Sequence, residues 1–170
     1  MNCRRAFIIA LTAFAVLALT ASRSLPKLLL WNASASVPVG LYRLRPAIAL
    51  HTGELVAILP PTTLARYLAA RGYLPVGVPL LKHILALPSQ TVCRSGRVVS
   101  IDGVAAGNAL DRDRLGRSLP IWQGCRTLRA GEVFVLNPQA ADSFDGRYFG
   151  PLKANLIIGR AIPLWITKEN

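Results

Sequence analysis

Short apolar runs bounded by glycine and proline dominate the chain after its first thirty residues. The runs at 54–59, 79–86 and 131–136 consist mostly of leucine, isoleucine, valine and alanine. Apolar runs of about four to eight residues between such breakers are typical of buried strands. The pattern therefore predicts a mainly β body of barrel or sandwich type.

Turn signals and extended segments support the same fold class. Ser95-Gly96 and Asp102-Gly103 are hairpin signals inside the region 91–105. Residues 36–46 contain two prolines and a glycine, which oppose a helix and favour an extended chain. We expect residues 157–166 to close the chain with a pair of strands.

One short helix is predicted in the body, over 62–71. Apolar residues recur there at helical spacing, Thr62 or Thr63 can cap the first turn, and Gly72 can end the last one. The segment 106–120 is polar, charged and contains glycine, which predicts an excursion over the surface.

Residues 6–22 carry no charge and are predicted to form a membrane segment near the short limit for a spanning helix. The alternative is a cleavable signal that ends near Ala21. A second apolar stretch at 25–31, which ends in tryptophan, suits a membrane interface and favours a retained anchor.

This choice sets the domain organisation. We expect a cytoplasmic N-terminus at 1–5, a transmembrane anchor at 6–22 and a single periplasmic domain at 23–170. The protein would then be a single-pass protein of the inner membrane, and the whole chain of 170 residues suffices for one domain.

The charge balance is strongly basic, with a formal net charge of +12 and eight acidic residues. Such a balance suits nucleic acid or an anionic membrane surface. The cations are scattered and form no lysine or arginine block, so we expect the inner membrane, and not nucleic acid, as the partner.

Two cysteines, Cys93 and Cys125, lie in the predicted exported body. In an oxidising compartment they predict one disulfide, with two buried free thiols as the alternative. Neither belongs to a CxxC pair, so we expect no metal site.

Lys82 stands inside the apolar run 79–86, where a charged ammonium is costly to bury. Desolvation lowers the pKa of a lysine, and a neutral lysine can act as a general base toward a serine hydroxyl. Ser36 is the best candidate for that serine.

Three motifs resemble those of the type I signal peptidase superfamily, and more narrowly those of TraF-type peptidases of plasmid conjugation. They are Ser-Val-Pro-Val-Gly-Leu-Tyr (36–42), Lys-His-Ile-Leu-Ala-Leu-Pro-Ser-Gln (82–90) and Ser-Phe-Asp-Gly-Arg-Tyr-Phe-Gly (143–150). His83 replaces the family's arginine, Ser89-Gln90 replace Gly-Asp, and Gly146 replaces a serine.

The resemblance implies a Ser-Lys dyad without cofactor, in which Ser36 is the nucleophile and Lys82 the general base. It implies that the Ser143 hydroxyl orients the lysine and that the Ser34 hydroxyl joins the oxyanion hole.

It also gives supporting roles to Asp145 and Arg147. These two residues are two positions apart, so in a strand they would share one face and could pair.

The implied function is a membrane-anchored serine endopeptidase that removes a leader or tail from an exported precursor, a conjugative pilin, with possible cyclisation of the product. One alternative is a non-catalytic exported component of a conjugation or secretion channel. Another is a Ser-His-Asp triad that uses His51 or His83.

Overall fold

The computed structural model describes residues 7–9, 11–12 and 29–167. The predicted cytoplasmic N-terminus and most of the predicted anchor at 6–22 lie outside these residues. Residues 7–9 and 11–12 are helical. None of the helices within the described ranges has the length and apolar character needed to cross a membrane.

The described part of the body is mainly β, as predicted. Its strands, in chain order, are β1 (Leu29–Asn32), β2 (Gly40–Arg45), β3 (Leu55–Ile58), β4 (Leu80–Ala86), β5 (Thr91–Ser95), β6 (Val98–Ile101), β7 (Val104–Asn108), β8 (Gly124–Thr127), β9 (Glu132–Leu136), β10 (Leu152–Lys153) and β11 (Ile157–Ile166).

Two sheets are built from these strands. The larger has the order β1-β2-β11-β3-β4-β9-β10, and the smaller has the order β7-β6-β5-β8. Hydrogen bonding is antiparallel between β4 and both of its neighbours, β3 and β9. Because β4 is flanked on both sides and its residues are buried or half-buried, it lies in the middle of the core.

The smaller sheet contains both predicted hairpin turns. Gly96 follows β5, and Asp102 with Gly103 joins β6 to β7, all three with positive φ. Cys93 and Cys125 lie opposite each other on β5 and β8 and form a disulfide.

The predicted helix is present as α1 (Thr62–Ala70), but its predicted cap is wrong. Pro61 occupies the N-cap position, and no side chain bonds the free amides of the first turn. At the other end Gly72 adopts a left-handed φ of 68° directly after the C-cap residue.

The prediction of a single short helix in the body was incomplete. A second helix, α2 (Gly146–Phe149), and a 3₁₀ turn (Ala154–Leu156) are also present. Each spans too few residues to show a periodic apolar pattern.

The predicted closing pair of strands is also wrong, because residues 157–166 form the single strand β11. It lies inside the larger sheet and pairs with both β2 and β3. Its register shifts between Pro163 and Trp165, as expected where a proline cannot donate to the ladder.

Residues 109–119 continue from β7 and lie against α1 and α2. Most of the segment is exposed, but Ala109 and Leu119 are buried in one cluster with Tyr148 of α2. The segment forms one wall of the cleft described below.

Candidate active site

A turn between β1 and β2 presents Ser36. Asn32, the last residue of β1, is buried, and its Nδ2 lies within hydrogen-bonding distance of three carbonyl oxygens of the turn, those of Ser34 (2.8 Å), Val37 (3.1 Å) and Pro38 (3.1 Å). These bonds hold the turn in a fixed shape, and Ser36 is half-buried at its tip.

The structure also explains the glycine in the motif around Ser36. A Cβ at Gly40 would lie 2.1 Å from the main-chain oxygen of Trp165 on β11. Only glycine therefore lets β2 and β11 approach so closely directly after the turn.

Lys82 reaches the site from the middle of β4, and only 3% of its surface is exposed. Leu80 and Ile84 share its face by strand alternation, and Val56 lies opposite it on β3. Burial among these groups is the main cause that lowers the pKa of Lys82, from 10.5 to about 8. With this pKa, roughly a tenth of the amine is neutral at pH 7.

Two serine side chains from separate parts of the chain meet at this amine. Lys82 Nζ lies 3.4 Å from Ser36 Oγ and 2.8 Å from Ser143 Oγ. The first distance is longer than the roughly 2.6–3.2 Å of a proton-transferring pair, and such contacts often tighten only when substrate binds. A neutral amine that donates to Ser143 still has a lone pair for the Ser36 proton.

Ser34 lies beside Ser36 on the same turn. Its Oγ is 3.2 Å from Ser36 Oγ and 3.2 Å from Asn32 Oδ1. Since an amide oxygen only accepts, the Ser34 hydroxyl can donate either to Asn32 or to an oxygen bound next to Ser36.

Asp145 and Arg147 form a buried ion pair, with 2.8 Å between Asp145 Oδ2 and Arg147 Nη2. The prediction that they share a strand face is wrong. Asp145 is the N-cap of α2 and accepts from the main-chain N–H of Arg147. The pair forms because the helix folds the arginine side chain back over its own cap.

Arg147 also holds the loop that carries Ser143. Its Nη2 donates to the main-chain oxygens of Ala140 (2.7 Å) and Ser143 (3.2 Å), and its Nη1 donates to that of Ala141 (3.1 Å). Gly146, which replaces a serine of the family motif, has no room for a side chain, because a Cβ there would lie 2.6 Å from the main-chain oxygen of Val135.

The two histidines are engaged elsewhere. His51 Nδ1 is 3.2 Å from Glu54 Oε1, and His83 Nδ1 is 3.0 Å from Asn137 Oδ1. Within the described part of the chain, the side chains that bond Ser36 Oγ are Lys82 and Ser34. This geometry gives no support to a Ser-His-Asp triad.

Ser36, Lys82 and Ser143 line one cleft of about 510 Å³. Leucine and aromatic side chains make up half of its other lining residues. These are Leu68, Tyr73, Leu74, Leu80, Leu81, Leu110, Leu115, Leu119, Phe144 and Tyr148.

Polar contacts fasten the 109–119 wall to the end of α1. Tyr73 Oη donates to Asp113 Oδ2 (2.5 Å), and Arg117 donates to Asp113 (2.7 Å) and to the main-chain oxygen of Arg71 (3.0 Å). Burial alone would raise the pKa of Asp113, but the bonds from Tyr73 and Arg117 hold it well below its usual range. Asp113 is therefore ionised at neutral pH and joins the wall to Tyr73 and Arg117 through these bonds.

Two site residues, Asn32 and Asn137, were not predicted from the sequence. Asn32 holds the turn that carries Ser36, and Asn137 bonds the main chain of β4 beside Lys82. An Asn two residues before a serine is a local signal for a side-chain turn, and this signal could have identified Asn32. For Asn137 the sequence indicates only that a strand ends before Pro138. Its role could not be predicted, because its partners on β4 are distant in sequence.

The chain belongs to the signal peptidase family, since the family model described as signal peptidase, peptidase S26, matches residues 2–166. Membership in this family indicates a serine peptidase.

Its relatives include conjugal transfer proteins named TraF. That of Agrobacterium fabrum (strain C58) is 35% identical over 147 residues, 79% of this chain and 80% of that protein. A plasmid transfer protein TraF of Escherichia coli is 32% identical over 136 residues, 74% of this chain and 76% of that protein.

A signal peptidase I from Enterococcus faecalis V583, known from a crystal structure, matches 66% of this chain and 96% of its own, with 20% identity and a TM-score of 0.39. A similarity this weak carries no argument about the fold.

Proposed function

We propose that the protein is a membrane-anchored serine endopeptidase with Ser36 as nucleophile and Lys82 as general base. The observation that carries the proposal is the buried amine between two hydroxyls, 3.4 Å from Ser36 Oγ and 2.8 Å from Ser143 Oγ. Its lowered pKa leaves a usable fraction unprotonated near neutral pH.

In this mechanism the Lys82 lone pair takes the Ser36 proton as Ser36 Oγ attacks the scissile carbonyl carbon. The tetrahedral intermediate then collapses, the C–N bond breaks, and the Lys82 ammonium returns the proton to the leaving amine. The product is an ester of Ser36, which a water molecule or an amine can attack with Lys82 again as the base.

Ser34 and Ser143 have separate tasks in this scheme. The Ser143 hydroxyl accepts from Lys82, which directs the lone pair of the amine toward Ser36. The Ser34 hydroxyl rotates away from Asn32 and donates to the oxyanion of the tetrahedral intermediate. The main-chain N–H of Ser36 is the second donor to that oxygen. Such a donor can contribute about 3–4 kcal/mol to the transition state.

We further propose that the substrate is an exported precursor of the conjugation apparatus, namely a conjugative pilin. The named roles of the relatives in conjugal and plasmid transfer support this choice. The open, largely apolar cleft suits an extended peptide. If the pilin's own N-terminal amine attacks the ester instead of water, the product is a ring.

The proposed site of action is the periplasmic face of the inner membrane. Trp31 on β1 and Trp165 on β11 stack with ring centroids 5.8 Å apart, and 54% and 57% of their surfaces are exposed. Trp31 follows the apolar N-terminal stretch directly, Trp165 stacks on it, and exposed tryptophans of this kind suit the membrane interface. Protease added to spheroplasts should therefore digest the body, and complete protection of the body would contradict this placement.

The test of the enzyme is pilin maturation in strains that carry Ser36→Ala or Lys82→Ala. Both are expected to leave the precursor uncut, whereas Ser95→Ala, at an exposed serine of the smaller sheet, should allow normal maturation. Intact mass spectrometry of the mature pilin distinguishes a ring from a linear chain, because the ring is lighter by one water.

Normal maturation in either dyad variant would contradict the mechanism. Full conjugation by Ser36→Ala, with the pilin matured as in the wild type, would favour the non-catalytic alternative. A cut pilin of linear mass would keep the peptidase and exclude cyclisation.

A further inference from the structure

Strand β9 ends one residue too early to pair with the part of β4 that carries Lys82. His83 pairs with Leu136, the last residue of β9, and Pro138 follows shortly after. From that pair toward Leu81, main-chain groups on this edge of β4 are bonded by the side chain of Asn137. Asn137 Oδ1 accepts from the His83 N–H (3.2 Å), and Asn137 Nδ2 donates to the main-chain oxygen of Leu81 (3.1 Å).

The amide group of Asn137 therefore stands in for a peptide group and holds the main chain on both sides of Lys82. Its orientation is determined by its partners, because the oxygen faces an N–H and the nitrogen faces a carbonyl. His83 Nδ1 also lies 3.0 Å from the same Oδ1, so it can donate there as a second bond. Only 1% of Asn137 is exposed.

The main chain of Asn137 connects this clamp to the buried ion pair. Its N–H donates to Asp145 Oδ2 (3.1 Å), the same oxygen that accepts from Arg147. Arg147 in turn donates to the main-chain oxygen of Ser143. One connected network thus holds the main chain on both sides of the 2.8 Å contact between Lys82 and Ser143.

We infer that Asn137 is a positioning residue, which fixes the main chain of Lys82 and ties it to the Asp145–Arg147 pair so that the amine meets both hydroxyls. The inference rests on the proposed Ser36–Lys82 dyad. It also gives the ion pair a task, because through Asn137 and Ser143 the pair sets the distance between base and orienting hydroxyl.

The experiment uses the full chain in detergent with Asn137→Ala and Asn137→Asp. Activity is followed with a fluorogenic peptide that covers the cleavage site mapped on the pilin. Asn137→Ala removes both bonds to β4, and misplacement of a reacting group costs up to about 100-fold in rate. We expect kcat to fall by about 10- to 100-fold with KM unchanged.

Asn137→Asp keeps the shape of the side chain and an oxygen for the His83 N–H, but it loses the donor to Leu81 and adds a negative charge. A nearby carboxylate favours the ammonium, so the pKa of Lys82 should rise. The alkaline rise in kcat/KM should then move to higher pH. Nuclear magnetic resonance of lysine labelled at Cε with ¹³C follows the same titration without substrate, and the whole chain has only the lysines 27, 82, 153 and 168.

The matched control is Val133→Ala, a buried position on the same strand β9 that packs in one cluster with Val56 and Ile84. It loses apolar packing in the cluster beside Lys82 but no bond of the network, so it reports the effect of reduced packing and stability without loss of the clamp. Variants are compared at temperatures where each is fully folded. Should Asn137→Ala not fold, the isosteric Asn137→Asp provides the comparison.

The inference is overturned if the Asn137 variants lose no more kcat than Val133→Ala, or if Asn137→Asp leaves the titration of Lys82 unmoved. Ser36→Ala is assayed in parallel. An inactive Ser36→Ala beside an unaffected Asn137→Ala rejects only the positioning role. An active Ser36→Ala rejects the proposed dyad, and the positioning role fails with it.

Discussion

Replacing Lys82 by methionine should abolish activity and yet make the folded protein more stable at neutral pH. The side chain is 3% exposed, and its burial lowers the pKa from 10.5 to about 8. This difference corresponds to about 3 kcal/mol that the folded state loses at pH 7 by holding a lysine there. Methionine is apolar, is similar in length and has no proton to lose.

The pH dependence follows from the direction of the shift. Because the folded pKa of Lys82 lies below the unfolded one, the unfolded state binds more protons between about pH 8 and 10.5, and stability rises with pH across this window. The penalty is complete below pH 8 and should fall to about 2 kcal/mol at pH 9. Lys82→Met also loses the hydrogen bond to Ser143, which lowers the unfolding free energy of the variant by about 1 kcal/mol.

We therefore expect Lys82→Met to be more stable than the wild type by about 2 kcal/mol at pH 7 and by about 1 kcal/mol at pH 9. Urea unfolding followed by tryptophan fluorescence, in detergent at both values of pH, measures the difference. Lys153→Met, at an exposed lysine of β10, is the control and should not reproduce it. A less stable Lys82→Met at pH 7, or a difference that does not change with pH, would refute a buried lysine of lowered pKa.

Further predictions concern the other groups of the site and the smaller sheet. Ser143→Ala should lower kcat by about 10- to 100-fold with little change in KM, because the amine of Lys82 loses its 2.8 Å partner; an unchanged kcat would contradict an orienting role. Ser34→Ala should cost about 100- to 1,000-fold in kcat without moving the pH profile, as for loss of an oxyanion donor. The wild-type kcat/KM should rise with pH and reach half its plateau near pH 8. Serine at both Cys93 and Cys125 should lower the unfolding free energy by about 2–4 kcal/mol in urea titrations, and activity in the cold should persist because the disulfide lies outside the cleft.

The sequence was most informative where the chemistry is local. A lysine in an apolar run is unusual by itself, so Lys82 could be singled out without knowledge of the fold. The short buried strands and the hairpin turns of the smaller sheet follow from composition and turn residues in the same way. The resemblance of the three motifs to those of a known family then assigned Ser36, Lys82 and Ser143 to one site.

Contacts between distant segments could not be predicted. Asn137 bonds His83 and Leu81, which lie 54 and 56 positions away, and its sequence signal was only the end of a strand. The pairing of Asp145 with Arg147 was expected for the wrong reason, because a four-residue helix leaves no periodic pattern to recognise. Residues 157–166 were expected to form two strands but form one, β11, in which the sheet accommodates Pro163 with a change of register.

The central claim is that Ser36, activated by Lys82, forms the ester intermediate. The most direct measurement mixes the purified full chain with a precursor peptide, quenches with acid within one turnover and locates the acyl group by mass mapping. We predict an acyl group on Ser36 in the wild type and none in Lys82→Met. Turnover without an acyl group on Ser36, or equal acylation in Lys82→Met, would contradict the account.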